Sequence, residues 1–199
     1  MTLLRSRSNE RYGNWEFIIK NQTTVINMTQ SSMQCIRNKE NYNEVFKFNF
    51  SKKVIVEDYL PLLIKSPEMS TNADYLIYRK EDNSLLEFVF DATTHHNVHK
   101  ICLVICKEYE KVTVGYIPPS NIVVGDVIID APDDITTEIF CCKIYIDAIQ
   151  IKLSNKHGER TIDSKNIIWE LDSKGDLISL TVYNQSPEVI NHALNELNC

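Results

Sequence analysis

Short runs of alternating apolar and polar residues constrain the fold of this chain more than any other feature. Phe46, Phe48 and Phe50 alternate with Lys47, Asn49 and Ser51, and Ile149, Ile151 and Leu153 alternate with Gln150, Lys152 and Ser154. Successive side chains on an extended strand point to opposite faces, so each run has one dry and one wet face. That pattern belongs to antiparallel sheets covered on one side. Strands of a doubly wound parallel sheet are buried on both faces and read as continuous apolar runs.

Runs rich in Ile, Val, Phe, Tyr and Thr extend the reading to Trp15 to Ile19, Thr24 to Met28, Val45 to Phe50, Tyr75 to Tyr78, Leu85 to Phe90 and Ile101 to Cys106. In the second half they are Val127 to Ile129, Ile139 to Ile146, Ile149 to Leu153, Ile167 to Leu171 and Leu177 to Tyr183. Lys80 to Ser84, Ser154 to Gly158 and Asp172 to Asp176 are polar and tolerate positive φ, so each reads as a hairpin loop. The fold class expected is mainly β, within α+β: antiparallel sheets built from hairpins, with a C-terminal helix packed on the sheet.

That helix is the clearest of the few predicted. Ser186 caps it, Pro187 suits its first position, Glu188 favours its N-terminal dipole, and Val189, Ile190, Ala193, Leu194 and Leu197 form its stripe, with His192 on the polar side. Two shorter helical pieces are expected over Val56 to Leu60, interrupted by Pro61, and from Ser66-Pro67-Glu68. Tyr116-Ile117-Pro118-Pro119-Ser120-Asn121 is the strongest punctuation, dividing a β-rich half (1–115) from a β-meander plus helix (122–199). A chain of 199 residues, 43% hydrophobic, can equally bury one continuous core.

The hairpin of Tyr75 to Tyr78 and Leu85 to Phe90 shares its apolar rhythm with that of Ile167 to Leu171 and Leu177 to Tyr183, as an internal duplication would produce. The stretch Tyr145 to Leu153 followed by Ile167 to Tyr183 resembles a family of short uncharacterised bacterial proteins built as a β-meander. That resemblance covers about a quarter of the chain. It implies a small antiparallel sheet and no known catalytic residue.

Composition narrows the function classes. The apolar runs are far shorter than the roughly 20 residues a membrane helix needs. The N-terminal residues lack the continuous apolar region of a secretory signal, so residence in the cytoplasm is expected. A formal charge of −6 repels a phosphate backbone and argues against direct nucleic-acid binding. The six cysteines include no Cys-x-x-Cys pair and are expected to be reduced, with no metal bound. The five glycines are isolated, so no phosphate-cradling loop forms, no nucleophile elbow occurs and no cofactor is implied.

Asp91-Ala92-Thr93-Thr94-His95-His96-Asn97-Val98-His99 is the densest group of candidate catalysts. The plain reading is a hairpin-to-strand connection, and the alternative is a hydrolase or metal-dependent enzyme using His95, His96 and His99. The acidic stretch from Asp130 to Glu138 lacks EF-hand spacing and suits a basic partner instead.

A small, acidic, β-rich chain without catalytic motifs is similar in general character to bacterial toxin-immunity proteins. The resemblance implies a cognate protein toxin as partner, often a basic nuclease, neutralised by occlusion of its active site. Asp130, Asp133, Asp134 and Glu138 would then steer the encounter, and Tyr116 and Ile117 would supply the desolvated anchors. A non-catalytic scaffold or regulatory module is the remaining alternative.

Overall fold

The structure is a computed structural model that describes residues 4–5, 15–19, 22–26, 32–37, 52–66, 73–91, 98–130 and 134–198. The described strands are β1 (Leu4–Arg5), β2 (Trp15–Ile19), β3 (Gln22–Ile26), β4 (Ser32–Arg37), β5 (Lys53–Glu57), β6 (Leu60–Lys65), β7 (Ala73–Arg79), β8 (Leu85–Asp91) and β9 (Val98–Ile105). They continue with β10 (Tyr109–Lys111), β11 (Ile122–Asp130), β12 (Ile135–Thr136), β13 (Cys141–Ile144), β14 (Ile149–Lys152), β15 (Arg160–Asp163), β16 (Ile167–Leu171) and β17 (Leu177–Val182), before the helix α1 (Pro187–Leu197). The protein is mainly β, with its helix packed on β6 and β5.

Beside a small three-stranded sheet, β1-β2-β3, two larger sheets have the orders β12-β7-β8-β9-β6-β5 and β10-β13-β14-β17-β16-β15-β11-β4. Within them lies a repeat. Strands β5 to β9 form a five-stranded antiparallel unit in the order 7-8-9-6-5, and strands β13 to β17 form a second in the order 15-16-17-14-13. One strand order is the other shifted by eight.

Register extends the correspondence to single side chains. A row across the first unit runs Leu76, Phe88, Ile101, Ile64, Val54. The matching row of the second runs Ile162, Trp169, Leu180, Ile151, Cys142. Both rows face the same core, which draws on the two sheets together. Phe88 and Trp169, at the centre of their rows, meet with ring centroids 5.9 Å apart. The correspondence corrects the pairing of hairpins suggested by sequence rhythm: the partner of β7–β8 is β15–β16, one strand earlier than the β16–β17 hairpin.

The segment joining the units supplies strands to three of their edges. β10 pairs in parallel with β13, β11 with β15, and β12 with β7. These parallel pairings make both sheets mixed, whereas sequence pattern pointed to antiparallel pairing alone. The short strands β10 and β12 carry few alternating residues, so periodicity does not reveal them.

At the remaining unit edge sits α1. The Ser186 hydroxyl accepts the Val189 N–H at 3.4 Å, and Ile190 and Ala193 enter the core. His192, expected on the polar side, faces the β5–β6 turn. Its Nε2 lies 3.0 Å from the Leu60 carbonyl and 3.1 Å from that of Glu57, so this nitrogen carries the proton and donates. Beyond the helix, Asn198 accepts a hydrogen bond from the Tyr109 hydroxyl, which ties the helix end to β10.

The helix expected over Val56 to Leu60 is instead the end of β5, a two-residue turn and the start of β6. Tyr59 has φ 70°, which closes the turn. Pro61 is tolerated because it precedes the ladder with β9, which begins at Leu62, so its missing N–H breaks no bond there. Ser154 to Gly158 is likewise not a hairpin loop. It carries the chain from β14 past β17 and β16 to β15. The other two loops are hairpins: Asp82 Oδ1 accepts the Ser84 N–H at 2.8 Å, and Asp172 Oδ1 accepts the N–H groups of Lys174 at 2.9 Å and Asp176 at 3.0 Å. The expected strand Val45 to Phe50 and the helix start at Pro67 lie outside the described residues.

Trp169→Ala should destabilise the fold by about 3–5 kcal/mol in urea unfolding, the usual cost of emptying a large aromatic site. A loss below about 1 kcal/mol would mean that the two units do not pack through this pair.

Candidate functional site

The stretch read as a domain boundary is a strap across the second unit. It leaves the edge strand β10, crosses residues 112–121 and enters β11 on the far side of β15. Backbone bonds fix its course: Val112 N–H donates to Ile144 O at 2.8 Å, and Ile146 N–H to Val114 O at 3.3 Å. Tyr116 N–H then donates to Asp147 Oδ1 at 2.8 Å.

On β17, Leu180 and Val182 enter the core, so Ser179 and Thr181 point to the opposite face, with Tyr183 directly after the strand. That face is not simply wet. Ser179 and Thr181 are buried, with Ser179 donating to Glu170 and Tyr116 reaching Thr181 from the strap. Tyr116 is the centre of a tyrosine cluster: its ring lies edge-on to Tyr145 with centroids 5.3 Å apart, and 6.4 Å from Tyr183. Burial pushes the Tyr116 phenol up. Burial and a 2.7 Å hydrogen bond to Asp163 push Tyr183 up to about 12.

Over this aromatic base, aliphatic side chains stand in solvent. Ile117 is 87% exposed, Val114 60% and Ile146 59%. They come from the strap and from the β13–β14 turn, which the Ile146–Val114 bond holds together. Exposed branched aliphatics on a hydrogen-bonded support are an arrangement suited to a protein partner, because a partner can desolvate them without first ordering them.

The other expected binding residues lie elsewhere. Asp134 is exposed and pairs with Arg79 at 2.9 Å, and Glu138 is exposed. Their segment pairs with β7 of the first unit through β12 and touches the second unit at the far end of β14, where Thr137 donates to Leu153 O at 2.6 Å. Tyr145 and Leu153 flank opposite ends of β14, a separation of about 13 Å or more at roughly 3.3 Å per residue. Asp130 ends β11, and Asp133 lies outside the described residues. Tyr116 and Ile117 therefore form one surface, and Asp134 and Glu138 another.

Val114, Tyr145, Ile146, Asp147 and Tyr183 were not singled out from sequence. Tyr145 and Ile146 close an apolar run that reads as strand, which conceals the turn that exposes Ile146.

For the enzymatic alternative, His95 and His96 lie outside the described residues. His99 is buried in β9, where its carbonyl accepts the Ser66 N–H at 2.7 Å. Among the described residues, no three His, Cys, Asp or Glu side chains are grouped to hold a metal, and no helix is long and apolar enough to cross a membrane.

The fold favours the neutral form of Tyr183, so its contribution is complete below the ordinary phenol value of 10 and is lost as pH rises through about 12. Tyr183→Phe should remove one late-titrating phenol from the ultraviolet titration and flatten the alkaline limb of the stability profile. An unchanged limb would show that the Asp163 contact does not hold this proton. Comparison of the chain with protein-family models and with curated proteins found no match.

Proposed function

We propose that this protein is a cytoplasmic immunity protein that binds and neutralises a basic protein toxin, with the strap surface as its anchor. The observation that carries this reading is the exposed aliphatic group, Val114, Ile117 and Ile146, set on the tyrosine cluster. Aromatic and aliphatic anchors beside fixed polar groups are where binding energy concentrates in protein interfaces.

The charge supports a basic partner. With a net charge of −6, the protein attracts a cationic toxin over distance, and Asp147 and Asp163 place carboxylates beside the anchors themselves. Asp134 and Glu138 lie farther from the strap than the screening length of about 8 Å at physiological salt, so they act on encounter more than on the bound state. Arg79 also offsets the charge of Asp134. Occlusion of the toxin active site by the strap would then neutralise it without any chemistry by this chain.

The test is a titration against any secreted basic protein encoded in the adjacent reading frame, with neutralisation of its toxicity measured in parallel. Ile117→Asp combined with Ile146→Asp should weaken binding at least tenfold, chiefly through faster dissociation, with the circular dichroism unchanged. Asp134→Lys should slow association at low salt and leave dissociation nearly unaltered. Full protection by the double aspartate variant would overturn the strap as the binding surface.

A further inference from the structure

Cys106 directly follows β9 in the first unit, whereas Cys142 lies in β13 of the second, so the two belong to different sheets. Both are buried in the shared core. The Glu108 carbonyl gathers them, accepting the Cys106 thiol at 3.0 Å and the Cys142 N–H at 2.9 Å. Their thiols are near enough for each to perturb the ionisation of the other.

We propose that Cys106 and Cys142 are a redox-modification site, in which a peroxide oxidises them to a disulfide between the two sheets and a dithiol reopens it. The Cys106 thiolate attacks one peroxide oxygen. The O–O bond breaks, the departing hydroxide takes up the thiol proton as water, and a sulfenic acid remains on Cys106. The Cys142 sulfur then attacks the sulfenic sulfur, the S–O bond breaks, and the second hydroxide leaves as water with the Cys142 proton. Two electrons pass from the sulfurs to the peroxide. In reversal, a dithiol returns two electrons by exchange and itself becomes the disulfide.

The pair is chemically unequal in the sense this order needs. The neighbouring Cys142 thiol, together with the backbone of Glu108 and Cys142, holds Cys106 below the ordinary thiol range despite burial. The same contact, with burial, pushes Cys142 well up. Cys106 is thus the attacking sulfur and Cys142 the resolving one. It also adjoins an exposed stretch, Lys107 to Lys111, from which a small oxidant can approach.

Cys102 and Cys141 face away from the pair. Cys102 lies between Ile101 and Leu103, which enter the core, and Cys141 pairs with Lys152 on the face opposite Cys142. The loop closed by a Cys106–Cys142 bond contains the entire strap, so oxidation would constrain the segment that carries Val114 and Ile117. Oxidation of this pair requires no toxin.

The test uses the full chain, exposed to hydrogen peroxide, alkylated and mapped by peptide mass spectrometry. The expected product is one cross-linked peptide pair, Cys106 to Cys142, that disappears with dithiothreitol and accompanies a rise of several degrees in the thermal midpoint. Cys142→Ser should abolish the cross-link and leave Cys106 as a sulfenic acid trapped by dimedone. Linkage through Cys141 or Cys102 instead, or thiols at 106 and 142 that stay reduced while Cys141 is oxidised, would overturn it. Mapping of the unsubstituted protein decides the matter even if the serine variant does not fold.

Discussion

Everything in this fold depends on two dry sheet faces that cover each other, with α1 filling in beside them. Each five-stranded unit presents a row of large apolar side chains, and the rows meet where Phe88 lies on Trp169. A single sheet with one such face is not stable in water by itself, since its apolar surface would stay hydrated. Stability is therefore a property of the pair. The helix and the edge strands follow from that constraint, because a sandwich closed at its centre still has open rims.

Those rims explain why the joining segment is built as it is. An unpaired strand edge invites association with another chain. Here β10, β11 and β12 cover three unit edges, and α1 packs beside the fourth with His192 fastened on the β5–β6 turn. The strap is a by-product of this sealing. To serve both edges of the second unit, the chain must cross its outer face, and the crossing carries apolar residues into solvent over a support of tyrosines.

Legibility in the sequence followed the strength of the local signal. The β2 and β16 runs matched strand for strand, and the capped helix matched through Ser186 and Pro187. Alternation and capping are written within a few residues, so one chain suffices to read them. Edge strands such as β10 and β12 are set by their neighbours and leave no period of their own. The β5–β6 turn misled for a related reason: Pro61 looks like a helix breaker until the ladder beside it is known. At the site, Tyr116 and Ile117 were visible beside the two prolines, whereas Tyr145, Ile146 and Tyr183 join them only through tertiary contact. The acidic stretch was visible too, but its distance from the strap is a fact of sheet register.

The order of the two units along the chain has a consequence for how the protein is made. The first unit, complete at Ile105, leaves the ribosome well before the second, which is complete at Val182. At roughly 5–20 residues per second, several seconds separate them. Through that interval the first apolar row has no partner face, and its β7 edge stays open until Ile135 and Thr136 arrive. The nascent chain is a half-sandwich with its filling exposed, so the cell must protect it during synthesis even though the finished molecule needs no such help.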